Sequence, residues 1–88
     1  EILIGVGNDL GIPEEITKKI VLQTIVGAGL LAIDSDKSPS KLREDVTSPN
    51  GTTQAALNIL MDKKNGWHEI IKNAVVAAYN RSKSLAKN

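Results

Sequence analysis

The residues best suited to chemistry lie in one turn, residues 47–53, directly before a predicted helix. The turn combines Ser and Thr hydroxyls with Pro49 and Gly51. A helix N-terminus exposes unpaired N–H groups and a positive dipole potential, and Gly51 lets the backbone approach a ligand closely. Such a turn can hold a carboxylate or phosphate without a charged side chain, and a Thr hydroxyl can hydrogen-bond beside it. Plain helix capping is the alternative, and spacing alone favours it.

A second candidate lies near the start of the chain. Residues 2–7 read Ile-Leu-Ile-Gly-Val-Gly and Gly11 follows, which is similar to a strand entering a dinucleotide-binding loop. The context argues against this interpretation, because Pro13 would fall inside the helix that should open there, and no βαβ pattern follows. We expect instead a glycine-containing helix end that packs closely on a neighbour, and no cofactor-binding residue in this chain.

Composition excludes several other classes of site. Cys is absent and His68 is the one histidine, so the chain offers no disulfide, no thiol nucleophile and no multi-histidine metal site. No orienting partner for His68 is recognisable, and we expect a surface or capping role. Trp67 and Tyr79 are the only Phe, Trp or Tyr residues, and the sequence contains 11 Lys and Arg residues and 10 Asp and Glu residues. These counts argue against stacking on single-stranded nucleic acid and against a strongly basic nucleic-acid binder.

The longest element is a predicted helix that begins near Pro13, with Glu14 and Glu15 in its first turn. Its middle, residues 20–33, which we call the apolar segment, is interrupted only by Gln23 and Thr24. A helix that is apolar on every face is buried on every face. The apolar segment is short for a bilayer and has polar flanks, so we expect no membrane span and predict that a second chain covers part of it.

The remaining segments also predict helices. Ser38 and Pro39 are typical of an N-cap and a first helical position, with a short helix through residues 40–45. Another helix is predicted from about Thr53 to the Lys-Lys-Asn-Gly stop signal at residues 63–66. A last helix from Trp67 has a clean apolar face. No segment alternates like a strand, so the fold class is all-α.

The 47–53 turn and its neighbours also resemble a known family. Residues 45–53, Asp-Val-Thr-Ser-Pro-Asn-Gly-Thr-Thr, closely resemble the signature of pyrroline-5-carboxylate reductases. Residues 23–28, residues 73–78 with Arg81 and Ser82, and residues 10–13 fit the same family in order and spacing. The resemblance covers essentially the whole chain.

The resemblance implies a fold and an activity. These enzymes reduce 1-pyrroline-5-carboxylate to L-proline with NADPH or NADH, which an N-terminal Rossmann domain holds. The chain, residues 1–88, resembles their C-terminal helical dimerisation and substrate-binding domain alone, an interlocking all-α domain with one long buried helix, like the C-terminal domain of 6-phosphogluconate dehydrogenase. Because the chain opens at Glu1 without an initiator Met, we expect a domain of a longer enzyme. The expected location of that enzyme is cytoplasmic. The chain alone is expected to bind no cofactor and to be inactive.

The resemblance also implies partners and site residues. It implies a homodimer, in some members a larger ring of dimers, whose active sites lie between one subunit's Rossmann domain and the partner's helices. Ser48, Gly51 and Thr52 match positions that hold the substrate carboxylate, largely through main-chain N–H groups. Thr53 matches the catalytic hydroxyl residue beside the imine nitrogen.

Two departures from the family pattern stand out. Asn50 occupies the first of two usual glycine positions, and we expect the turn to be preserved because Asn tolerates a left-handed backbone. Residues 79–84 replace a more acidic pattern, so Arg81 receives no catalytic role. The rival hypothesis is a non-catalytic helical homodimerisation module with the same aliphatic surface, which a Gly-rich βαβ region upstream of Glu1 would argue against.

Overall fold

The computed structural model describes residues 1–87, and these contain five helices and no strand. The helices are α1 (Ile2–Asp9), α2 (Glu14–Asp34), α3 (Pro39–Asp45), α4 (Thr52–Leu60) and α5 (Trp67–Ala86). The all-α prediction is therefore confirmed. The chain divides between Arg43 and Glu44 into two compact units, one built on α1 and α2 and the other on α4 and α5.

The first unit begins with a helix, although residues 2–7 are similar to a strand that enters a dinucleotide-binding loop. The chain leaves α1 through paired backbone bonds, in which Gly11 N–H donates to Asn8 O (3.0 Å) and Ile12 N–H donates to Gly7 O (2.9 Å). This pair is a Schellman motif, which requires a left-handed residue after the helix. Gly11 supplies it with φ +87°. Gly11 therefore ends a helix and does not belong to a phosphate-binding loop.

Gly7 is a point of close approach between α1 and α2. Gly7 and Thr17 are both buried, and Thr17 is only 5% exposed. A Cβ atom added to Gly7 would lie 2.6 Å from Thr17 Oγ1, closer than packed atoms allow. The Thr17 hydroxyl is satisfied by donating to Pro13 O (3.2 Å). The expected close packing of a glycine-containing helix end is thus confirmed.

The long helix α2 has the predicted bounds but little cover within one copy. Thr17 is its one buried residue, whereas Leu22 is 50% exposed and Ile33 is 80% exposed. α2 has 21 residues, and its most apolar 18-residue stretch has a mean hydropathy of 1.5, so by length and composition alone it could cross a membrane. The core helix of a soluble protein meets the same criteria, so the expectation of no membrane span stays a prediction. The exposed aliphatic side chains of α2 therefore need a further surface to cover them.

The second unit corrects one predicted boundary. α4 ends at Leu60, and Met61 caps it, several residues before the predicted stop signal. The cause is Asp62, whose Oδ2 accepts hydrogen bonds from the backbone N–H groups of Lys64 (3.2 Å) and Asn65 (2.7 Å). An aspartate that binds the N–H groups just after it offers the chain a turn in place of helix. Gly66 then caps α5 in a space that excludes a side chain, since an added Cβ would lie 2.5 Å from Leu60 O.

The contact between Gly7 and Thr17 gives a matched pair of substitutions. Gly7→Ala places a methyl group against Thr17 and should lower stability by about 1–3 kcal/mol, the usual cost of overpacking. Gly5→Ala lies in the same helix, where an added Cβ meets nothing within 4 Å. It should be neutral or stabilising by up to about 1 kcal/mol, because Ala favours helix over Gly. Urea unfolding of both variants at one protein concentration measures the difference, and equal midpoints would contradict the packing described.

Candidate functional site

The 47–53 turn is built by its backbone. Gly51 N–H donates to Ser48 O at 3.0 Å, and Asn50 has φ 62°. With Pro49 at the second position and a left-handed residue at the third, residues 48–51 form a type II β-turn. Asn50 adopts the left-handed conformation that the third position of this turn requires. The expectation that Asn50 tolerates a left-handed backbone is therefore confirmed.

Gly51 serves the turn in a different way from Asn50. Its φ of −86° and ψ of −177° are extended values that any residue adopts, so conformational freedom does not explain the glycine. An added Cβ would lie 3.2 Å from Ser48 O and 3.3 Å from Ser48 Cβ, which is tighter than most packed contacts. The absence of a side chain keeps the turn tight and leaves the backbone at its outer edge open to a ligand.

α4 begins at Thr52, one residue earlier than predicted, with Gly51 as its N-cap. The first bond of the helix runs from Ala55 N–H to Gly51 O at 3.1 Å. The N–H groups of Thr52, Thr53 and Gln54 have no acceptor among residues 1–87, and no side chain caps the helix. Three adjacent donors with the dipole of α4 behind them favour an anion at this end.

The turn carries no ionisable side chain, so its attraction for an anion rests on the backbone. Ser48 and Thr52 are exposed, whereas Gly51 and Thr53 are half-buried. The four predicted site residues, Ser48, Gly51, Thr52 and Thr53, thus lie together on a single turn and the first turn of α4. Of the two threonines that begin α4, Thr53 is the more enclosed, and its hydroxyl can hydrogen-bond to a ligand atom beside the anion.

Gln54, which no sequence motif pointed to, supplies the third unpaired N–H. Because α4 begins at Thr52, Gln54 is its third residue, whereas the predicted start at Thr53 made Gln54 the second. Its side chain is half-buried, and its Nε2 donates to Asn58 Oδ1 at 2.8 Å. The Gln–Asn spacing of four residues is the available sequence signal for this bond. The bond draws the Gln54 side chain along α4 toward Asn58.

The other sequence candidates lie elsewhere. His68 is exposed in the first turn of α5, consistent with a surface position. Among residues 1–87, no group of three or more His, Cys, Asp or Glu residues is arranged to hold a metal ion. The structure therefore concentrates its candidate chemistry in the 47–53 turn.

Comparison with known proteins points to one family. The family model described as pyrroline-5-carboxylate reductase dimerisation matches residues 1–85. The pyrroline-5-carboxylate reductase of Pseudomonas aeruginosa is 41% identical over 81 residues, which cover 92% of this chain and 29% of that protein. The enzyme of Pisum sativum is 41% identical over 86 residues, which cover 98% of this chain and 31% of the relative. The chain thus spans under a third of the length of these relatives.

A solved structure shares the fold. The crystal structure of Plasmodium falciparum pyrroline carboxylate reductase with NADP bound matches with a TM-score of 0.85 and 35% identity. The match covers 93% of this chain and 32% of that one. Sequence and structure comparisons therefore agree on the same family and on the same part of its members.

Proposed function

This chain belongs to the pyrroline-5-carboxylate reductase family, and we propose that it is the dimerisation and substrate-binding domain of such an enzyme. The whole protein would reduce 1-pyrroline-5-carboxylate to L-proline with NADPH or NADH. The observation that carries the proposal is the group of three unpaired N–H donors at residues 52–54, set on a turn that matches the family signature. A substrate with one carboxylate and a reducible C=N bond suits that arrangement.

We infer that the nicotinamide cofactor is held outside the described residues, 1–87. Residues 1–87 contain no strand, and the Gly-rich stretch near the N-terminus forms α1 and its Schellman motif. A dinucleotide site of the Rossmann type needs a strand, a glycine turn and a helix in succession. The hydride of the reaction would therefore come from a cofactor held by other residues of the whole protein, and this chain would act on the substrate.

The backbone of the turn would anchor the substrate carboxylate. The N–H groups of Thr52, Thr53 and Gln54 are available as donors, and hydrogen bonds from backbone N–H to a carboxylate are among the stronger ones. Ser48 adds an exposed hydroxyl at the start of the turn. Fixing the carboxylate fixes the ring, so the reacting carbon is held in one orientation, which lowers the entropic cost of the reaction.

Thr53 would serve the nitrogen end of the reacting bond. Reduction of a C=N bond adds a hydride to carbon and a proton to nitrogen. A hydroxyl that hydrogen-bonds to the nitrogen can orient that proton or relay it. Thr53 is half-buried and is itself one of the three residues with an unpaired N–H, so its hydroxyl would lie beside a carboxylate bound by these donors.

The second part of the proposal is that two copies of the chain form a dimer. The matching family model is named for dimerisation, and α2 leaves most of its aliphatic surface exposed in one copy. Association of two copies would bury that surface, and larger rings of dimers would build on the same unit. The same exposed surface would also serve a non-catalytic dimerisation module, so activity assays must separate the two functions.

The role of Thr53 is tested by Thr53→Ala in the full-length protein. We expect kcat to fall about 100-fold, at the lower end of the range for positioned proton transfer, while cofactor affinity stays unchanged. Thr53→Ser keeps the hydroxyl and should retain most of the activity. Thr52→Ala is the matched control, because it removes a neighbouring hydroxyl and keeps its main-chain N–H. Steady-state kinetics with pyrroline-5-carboxylate measure all three, and an unchanged kcat in Thr53→Ala would remove Thr53 from the mechanism.

The role of the backbone donors is tested by Thr52→Pro in the full-length protein. Proline is well tolerated at the first position of a helix, and the extended Gly51 before it is compatible with proline. The substitution therefore removes one N–H and leaves the helix intact. A hydrogen bond to a charged group is worth about 1.5–3 kcal/mol, so KM for the substrate should rise about 10- to 100-fold.

The melting temperature and the cofactor affinity of Thr52→Pro serve as controls for folding. Both should match the unaltered enzyme, since the substituted position lies at a helix start. A KM equal to that of Thr52→Ala would show that the main-chain N–H of residue 52 does not bind the carboxylate.

A further inference from the structure

The sequence contains two Asn-Gly pairs, Asn50–Gly51 in the 47–53 turn and Asn65–Gly66 before α5. In both pairs the asparagine is exposed and the glycine is the N-cap of the helix that follows. The main-chain nitrogen of a glycine can attack the side-chain amide of the asparagine before it, because glycine has no side chain to hinder the approach. The two pairs therefore share one reactive arrangement, and the structure around each pair decides its rate.

The reaction is the loss of ammonia from the asparagine side chain. The glycine nitrogen forms a bond to the asparagine Cγ, the bond from Cγ to Nδ2 breaks, and Nδ2 leaves as ammonia with the proton of the glycine N–H. Water then opens the five-membered succinimide ring. Opening at Cγ gives an aspartate, whereas opening at the main-chain carbonyl carbon gives an isoaspartate, in which the backbone passes through the former side chain. Water is the one co-reactant, and nothing is oxidised or reduced.

The space around the glycine differs between the two pairs. Gly66 is buried, and a Cβ added to it would lie 2.5 Å from Leu60 O and against Asp62 O. Gly51 is half-buried, and the atom nearest to its added Cβ is Ser48 O at 3.2 Å. Each glycine N–H donates one backbone hydrogen bond, to Ser48 O at 3.0 Å or to Asp62 O at 2.9 Å, so this bond does not separate the pairs. The wider space allows Gly51 to move more readily than Gly66.

Hydrogen bonds to the asparagine also differ. Asn65 N–H donates to Asp62 Oδ2 at 2.7 Å, and Lys64 N–H donates to the same oxygen at 3.2 Å, so the backbone before Gly66 is held in place. Among residues 1–87, neither the main-chain N–H nor the side chain of Asn50 makes a hydrogen bond. Asn50 also has a φ of 62°, which residues other than glycine seldom adopt. Rotation of Asn50 to close the ring therefore breaks fewer bonds than rotation of Asn65.

The product would alter the turn at the place where a substrate carboxylate is expected. An aspartate at position 50 adds a negative charge two residues before Thr52, the first of the three unpaired N–H donors. Such a charge would repel a bound carboxylate or compete with it for the donors. An isoaspartate would lengthen the backbone between Ser48 and Gly51 and disturb the hydrogen bond that closes the turn. Either product would weaken the site.

We propose that Asn50 is a site of spontaneous deamidation and that its conversion weakens binding of the substrate carboxylate by the 47–53 turn. The assignment of the site rests on the structure of residues 1–87, whereas the effect on binding rests on the proposed function. The family signature usually has a glycine at this position, and glycine carries no amide to lose. The sensitivity to deamidation therefore comes from Asn50 in this chain.

Peptide mapping by tandem mass spectrometry tests the site, with Asn65 as a control in the same molecule. The full-length protein is incubated at neutral pH, and the deamidated fraction at both positions is followed over time. Asn50 should react about tenfold faster than Asn65, which corresponds to ~1.4 kcal/mol of activation free energy. In concentrated urea the surrounding structure is lost, and the two rates should become similar. Equal rates in the folded protein, faster reaction at Asn65, or no reaction at Asn50 would overturn the site.

Two substitutions at position 50 of the full-length protein test the effect on binding. Asn50→Asp reproduces the aspartate product and is compatible with the turn, since Asp also tolerates a left-handed backbone. Its KM for pyrroline-5-carboxylate should be raised about tenfold at low salt and less at high salt, because salt screens the repulsion between the two carboxylates. Asn50→Gly has no amide, so its KM should stay constant during the incubation that raises the KM of the unaltered protein.

The results separate the site, its effect and the proposed function. A KM of Asn50→Asp equal to that of the unaltered protein would overturn the effect on binding and leave the deamidation site standing. A full-length protein that does not reduce pyrroline-5-carboxylate would overturn the proposed function and the effect on binding with it. Peptide mapping needs no activity, so it decides in either case whether Asn50 is the site.

Discussion

The exposed aliphatic surface of α2 is the constraint on which the rest of the structure depends. Its apolar segment carries no charge from Ile20 to Ile33, yet within one copy most of its large side chains remain about half exposed or more. Fully burying a Leu or Ile side chain is worth about 1.5–3 kcal/mol, so covering several of them on each copy supplies much of the stability of a small domain. Folding and association are thus expected to occur together, as in obligate dimers.

The chemical part of the chain depends on a different feature, the tight turn before α4. Its donors are main-chain N–H groups, and they are positioned by a β-turn and by the start of a helix. Because the backbone makes the site, few side chains in it are needed for binding, and the missing cysteines and histidine clusters do not argue against a catalytic role. In the proposed function the two features are complementary, since association of two copies would cover α2 and the turn before α4 would bind the substrate.

The sequence allowed the bounds of α2, the Ser38 cap of α3 and the left-handed role of Asn50 to be predicted, because each depends on neighbouring residues. Ser38 Oγ does accept from Lys41 N–H at 3.2 Å, as an N-cap should. The early end of α4 was not predicted, since it depends on two hydrogen bonds from backbone N–H groups to the Asp62 carboxylate, which compete with continuation of the helix. The start of α4 at Thr52 was not predicted either, and the third unpaired donor, the Gln54 N–H, was missed with it.

The most direct test of the account is the mass of the chain in solution across a dilution series, followed together with its helicity. We predict a species of twice the 9.4 kDa mass of one chain at high concentration, with helicity lost as the dimer dissociates. A monomer that keeps its helicity and melts cooperatively at low concentration would contradict the account, because one copy would then be stable with α2 uncovered.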